Sequence, residues 1–332
     1  MTVTIVFALL TAFCNAMVVA VQHLASIRAS PKLKGVALAR YLLKSPLWLL
    51  GWVGILGAFV FQAIALHNGQ LSVVQPLLVS ELVFALLLRR QWLHQSISKR
   101  AWGSAAVTCV GLVVFLVLAD PRGGAQEPTI GHWTWVLVGV GGAVVVLYVL
   151  GRTGPPVRRA AVLATATALI WSLEATFIKT TTDDLTTVGL VGSLEHWPVY
   201  ALAVGGIAGF LMEQDTLHVG PLSVSQPIMV LVDPIMSICL GVVLFDEKLA
   251  TGDGVLAGAV LAFVVLCAGA VALTRSTPAT MSATAQPVPP PPAGPGTPNV
   301  PGAQNIPGTQ NVPGTQNVPG APAAPAPGPD PA

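Results

Sequence analysis

Residues 2–23, 46–66, 71–88, 101–119, 132–150, 160–178, 198–217, 222–245 and 254–274 are long apolar stretches with almost no charge. At about 1.5 Å per helical residue, each is long enough for a hydrocarbon core of about 30 Å. A backbone in that solvent has to satisfy its polar groups internally, which makes each stretch a helix. The expected fold is an all-α polytopic membrane protein with about nine transmembrane helices in a multi-pass arrangement. Only 9% of the residues are charged, against roughly 25% in soluble domains, so water is not the solvent for most of this chain.

The loops give the expected orientation. Thirteen of the sixteen Lys and Arg residues fall in the loops between spans one and two, three and four, five and six, and after span nine. Arg122, Lys179 and Lys248 are left for the other face. Cytoplasmic loops retain basic residues, which predicts an outer N-terminus and a cytoplasmic C-terminus. Asp120, Glu127, Asp183, Asp184, Glu195, Asp246, Glu247 and Asp253 all fall in or beside the proposed outer loops. No basic residue precedes the first span, contrary to the pattern of a cleaved signal.

A thirteen-residue segment, 67–79, returns at 218–230 with eight positions identical. Under the predicted orientation, span three starts at the outer face and its copy, span eight, at the cytoplasmic face. The duplication is therefore read as an inversion, a recurrent transporter architecture that places substrate near the midplane between two halves. Residues 1–131 form the first four-helix repeat, 132–157 a connector helix and loop, and 158–275 the second, inverted repeat. The segment from Ala65 to Pro76 follows an A-L-x-x-G-x-L-S-x-x-Q-P pattern. With its second copy it resembles the drug/metabolite transporter (EamA-like) superfamily over residues 1–275. That resemblance implies a secondary transporter moving a small metabolite, drug-like compound or cation by alternating access. Ten helices are usual in that superfamily. Nine with an outer N-terminus look more like the related NIPA-type magnesium transporters, the alternative being a divalent cation transporter or channel.

Ionisable groups inside spans cost roughly 2.5 to 3.5 kcal/mol each at a helix centre, so those present are read as functional. Glu81 and Asp233 lie ten and eleven residues into spans three and eight, each about 15 Å deep from opposite faces. Glu174 in span six takes the place of Asn15 in span one when Ala16 and Ala175 are aligned. Its helix position resembles that of the essential glutamate of small four-helix multidrug exporters, which implies proton coupling. Ser223, Gln226, Asp233 and Ser237 fall on one stripe of span eight at 100° per residue, and Gln75 is a polar liner of span three. Pro76, Pro227 and Pro234 each lack an N–H and are read as gating positions. Glu213 and Asp215 end span seven, as a vestibule or as a plain helix end. Lys179 is expected to snorkel to the outer interface, and His67 and His218 to make interhelical hydrogen bonds rather than bind metal. Gly205-x-x-x-Gly209 and Gly254-x-x-x-Gly258 read as close helix packing. Trp48, Trp102, Trp133 and Trp197 read as an aromatic belt.

The four cysteines all fall inside spans, without metal or disulfide spacing, and read as packing residues. Hydrolase, metalloprotease, phosphate-binding and dinucleotide motifs are absent, so neither an enzyme nor a bound cofactor is expected. The different-class alternatives are a membrane scaffold or a lipid-linked glycosyltransferase using Asp183-Asp184. Residues 276–332 carry seventeen of the twenty-eight prolines and NVPGTQ-like hexads, the composition of a disordered tail. Expected partners are the bilayer, a small-molecule or ion substrate, a second copy in a homodimer, and a tail ligand; nucleic acid is not expected.

Overall fold

A computed structural model of the protein describes residues 1–28, 46–92, 96–123, 128–219, 221–250 and 252–276. The Pro-rich tail and most of the loop between the first two helices lie outside the described residues. So do Glu127 and the side chain of Trp48.

The described chain is helical: α1 (Thr2–Arg28), α2 (Pro46–His67), α3 (Leu71–Leu78), α4 (Glu81–Trp92), α5 (Lys99–Ala119), α6 (Ile130–Val136), α7 (Gly142–Leu150), α8 (Pro156–Ser193), α9 (Pro198–Val219), α10 (Leu222–Phe245) and α11 (Asp253–Ser276). A π-turn, Leu137–Gly141, joins α6 to α7. Two two-residue strands, β1 (Arg122–Gly123) and β2 (Glu247–Lys248), pair antiparallel.

Among the described residues, eight helical segments are long and apolar enough to cross a membrane. They match the predicted spans except where charge sits near a helix end. Span seven corresponds to α9, whose 22 residues include Glu213, Gln214 and Asp215 and which falls outside those eight. Span six was placed at 160–178, but α8 continues to Ser193 and carries Asp183 and Asp184 within the helix rather than in a loop. Gly189, at φ 74°, is a non-helical point inside α8, a conformation glycine adopts without a Cβ penalty. Span three is two helices, α3 and α4, separated at Val79-Ser80. Its second half runs to Trp92, so Arg89 and Arg90 belong to the helix and not to the loop.

Helix α8 is the centre of the bundle: 72% of its crossing segment is buried, against 17% for the segment Ile130–Leu150 at the periphery. α1 packs along α2 as α8 packs along α9. α1 also packs on α4 as α8 does on α10, while α5 pairs with α11 and α3 with α10. The α5/α11 crossing is antiparallel and close because two glycines permit it. A Cβ on Gly111 would stand 2.5 Å from the backbone nitrogen of Leu266, and one on Gly269 2.7 Å from that of Thr108. Gly258 also packs, against Leu118, whereas Gly254 faces open space.

The outer surfaces carry large apolar side chains such as Val53, Leu56, Val110, Val117, Val138, Val204 and Leu261. Apolar area of that extent is stable against lipid and not against water. Cys109 and Cys239 are exposed on such surfaces and only Cys14 and Cys267 are buried, so two of the four cysteines are not packing residues. Trp133 departs from the expected belt: it is buried, stacked on Phe177 at 5.5 Å and edge-on to Trp197 at 4.9 Å.

Candidate functional site

The break in span three places a carboxylate inside the bundle. Pro76 lies in α3, where it has no N–H to return to the preceding turn. Two residues after α3 begins to end, the ladder tightens to three-residue spacing, with the N–H of Val79 donating to Pro76 O (3.2 Å) and that of Ser80 to Leu77 O (3.0 Å). Glu81 then opens α4, where a negative group favours the helix dipole. Pro227 and Pro234 lie inside α10, which continues through both.

Three other helices bring polar groups toward Glu81. Asn15 of α1 hydrogen-bonds its carboxylate, and the charges of Glu213 on α9 and Asp233 on α10 lie within electrostatic range of it. Ser237 donates to Asp233 at 3.3 Å, and the Trp171 side chain of α8 hydrogen-bonds Glu213. Asn15, Glu81, Asp233 and Ser237 thus come together, and Glu213 joins them from an unexpected helix. Glu81, Glu213 and Asp233 are each half-buried, and the charge of Glu213 bears on Glu81 as that of Glu81 bears on Asp233. Among the described residues, however, no three His, Cys, Asp or Glu side chains form a group that could hold a metal ion.

The remaining predicted residues are distributed around this cluster. Gln75 is buried on α3, and Gln226 is half-buried on α10. Ser223, in the first turn of α10, is exposed and sits apart from the buried Ser237 at the other end of the predicted stripe. Glu174 occupies its own niche. It is 7% exposed, its Oε2 has no hydrogen-bond partner, and it lies against the backbone of α9 where a Cβ on Gly205 would stand 2.5 Å from that oxygen. Gly205 therefore serves a carboxylate and not only helix packing. On α2, Gly54 stands in the same register of the sequence repeat and receives a methyl of Val18.

A second polar construction holds the 67–70 turn. Lys179 is 4% exposed; instead of snorkelling outward, its Nζ donates to Leu66 O (2.7 Å) and Gly69 O (3.0 Å), at the C-terminal end of α2. The Phe245 ring lies 5.3 Å from that ammonium. Glu247 is 2% exposed and accepts from the N–H groups of Leu71 (2.6 Å) and Ser72 (2.9 Å) and from the Ser72 hydroxyl. Its carboxylate fits because Gly241 has no side chain: a Cβ there would stand 2.4 Å from Oε2. A cation thus meets the negative end of α2 and an anion the positive end of α3. His67 pairs with Asp183 across helices, Nδ1 to Oδ1 at 2.6 Å. His218 instead contacts Gln214 O of its own helix at 2.8 Å, which corrects the interhelical expectation for it.

Glu213 and Glu247 are the residues that sequence reasoning did not single out. The sequence leaves Glu213 and Asp215 together as a vestibule or a plain helix end; the two diverge, since Asp215 is exposed and bonded to Tyr148 while Glu213 is half-buried. Glu247 looked like one more loop acid, and its role depends on contacts across about 175 residues of sequence.

Comparison with known proteins adds similarity without an activity. No family model matches the chain, and no solved structure does. An uncharacterized protein of Corynebacterium glutamicum is 28% identical over 252 residues, covering 76% of this chain and 84% of its own length.

Proposed function

We propose that this membrane protein is a secondary transporter of the drug/metabolite (EamA-like) type, moving a small solute or cation by alternating access with proton exchange at Glu81, Asp233 and Glu213. The observation that carries the reading is that the charges of Asp233 on α10 and Glu213 on α9 lie within electrostatic range of Glu81, which opens the second half of a discontinuous span. Broken helices whose half-helix ends face a central site are how transporters place polar groups in a membrane. Intramembrane carboxylates are also the usual proton carriers of pumps and transporters.

In this reading α9 is a ninth crossing. It runs antiparallel along α8 from the Glu174 and Gly205 contact to the Thr167 and Thr216 hydroxyls, 2.9 Å apart. Two inverted four-helix halves then flank the α6–α7 connector. Support comes from the matched packing of α1 on α2 and α8 on α9, and from the antiparallel pairing of α5 with α11. Arg122, Lys179 and Lys248 cluster at the end bearing the 67–70 turn, which this reading makes the outer face. Pro76, Pro227 and Pro234 are the hinge candidates, and Glu174 is a second proton site.

The test is uptake into proteoliposomes under an imposed pH gradient, using a panel of amino acids, amines, nucleosides and magnesium. Flux that needs the gradient and is lost in Asp233→Asn supports the reading. Magnesium-driven flux indifferent to the gradient would replace it with the divalent cation alternative.

A further inference from the structure

At the end bearing the 67–70 turn, a cavity of about 360 Å³ opens between that turn, the 180–187 stretch of α8, Gly123 and Pro128. None of the central carboxylates lines it. Its character follows from where the hydrogens of its wall point. Thr180 donates to Thr176 O (3.0 Å), Thr186 to Asp183 O (2.9 Å), and Thr187 to the carbonyls of Asp183 and Asp184 (2.9 and 3.1 Å). The Asn68 amide donates to Ile64 O and the Gln70 amide to Gly123 O. With the threonine protons and one hydrogen of each amide turned to the protein's own carbonyls, the threonine hydroxyls and the two carboxylates offer the cavity oxygen lone pairs.

Charge points the same way. Asp183 and Asp184 line the cavity together with the Lys179 ammonium and the His67 imidazole. Two of that ammonium's three hydrogens are engaged by Leu66 O and Gly69 O, and its field is countered by Glu247 as well as Asp183. Asp183 uses Oδ1 toward His67, and Asp184 uses Oδ2 toward His196 at 3.1 Å. Each keeps its other oxygen.

We infer that this cavity is a binding site for a small protonated amine, a cation that supplies the N–H donors its oxygens lack. A quaternary ammonium of the same charge brings no donor and forfeits the hydrogen bonds. Binding here needs no transport, so the inference goes beyond the proposed function and stands or falls without it.

Isothermal titration calorimetry on the full chain in lipid nanodiscs tests it, with n-butylammonium, tetramethylammonium and magnesium chloride as the probes. The expected result is saturable butylammonium binding that tetramethylammonium matches only at about tenfold weaker affinity or worse. Asp183→Asn and Asp184→Asn should each weaken butylammonium by about tenfold or more, and Asp120→Asn, an acid outside the cavity, by less than about twofold. His196→Gln separates binding from folding, because His196 lies outside the cavity lining and its loss removes the same contact as Asp184→Asn but keeps the carboxylate; it should bind at least as well as the parent. Equal affinity for tetramethylammonium would reduce the site to charge attraction and overturn the inference. So would magnesium binding without butylammonium binding, or equal losses in His196→Gln and Asp184→Asn.

Discussion

Glu174 sets the sharpest constraint at the scale of single residues. A carboxylate oxygen with no donor, held against a glycine backbone, is a cost that folding alone gives no reason to keep. Burying a polar group without a partner costs about 1–3 kcal/mol by protein mutational measures. Glu174→Leu is therefore expected to raise thermal stability by about that amount while abolishing any proton-coupled flux. Thermal unfolding in detergent, alongside the transport assay, checks both. Loss of stability would show that the carboxylate is structural. Gly205→Ala should reproduce the functional loss, because its Cβ would occupy the place of the Glu174 oxygen. Glu81, Glu174 and Asp233 are legible as candidates because an acid inside an apolar run stands out. Glu213 is not: three polar residues in succession look like a helix reaching water, and only the packing of α9 on α8 reveals which of them turns inward.

Among elements, the junction between α2 and α3 carries the most concentrated polar chemistry. Glu247 replaces solvent at the start of α3, where the first N–H groups of a helix lack intrahelical partners. Glu247→Gln should cost about 2 kcal/mol, since hydrogen bonds to a charged group are worth about 1.5–3 kcal/mol. Gly241→Ala should cost about 1–3 kcal/mol through overpacking. In both variants the amides of Leu71 and Ser72 should lose hydrogen-exchange protection before those of α5, and uniform loss along the chain would argue against a local cap. The helices themselves were legible from apolar length alone, and the predicted boundaries mostly hold. The overruns at helix ends have one physical cause. Hydropathy locates the end of the apolar run, while α8 continues as a helix through Asp183 and Asp184 because hydrogen bonds and His partners sustain it there.

For the whole molecule, the account predicts a definite topology. In a background lacking native cysteines, Arg122→Cys should react with a membrane-impermeant maleimide in intact cells, whereas Lys32→Cys should react only after the cells are opened. The reverse pattern would invert the assignment of outer and cytoplasmic faces. The repeat could be read directly from residues 67–79 and 218–230. The packing of α1 on α2 and of α8 on α9 could not, because the identical residues of that segment lie at helix entrances while these contacts run along whole helices. The most direct measurement of the central claim is pH-gradient-driven uptake in proteoliposomes, comparing the parent chain with Asp233→Asn and Glu81→Gln. The account predicts gradient-dependent flux in the parent and loss of that flux by at least about tenfold in each variant, in line with removal of a proton carrier. Full flux of the same solute in both variants would contradict it.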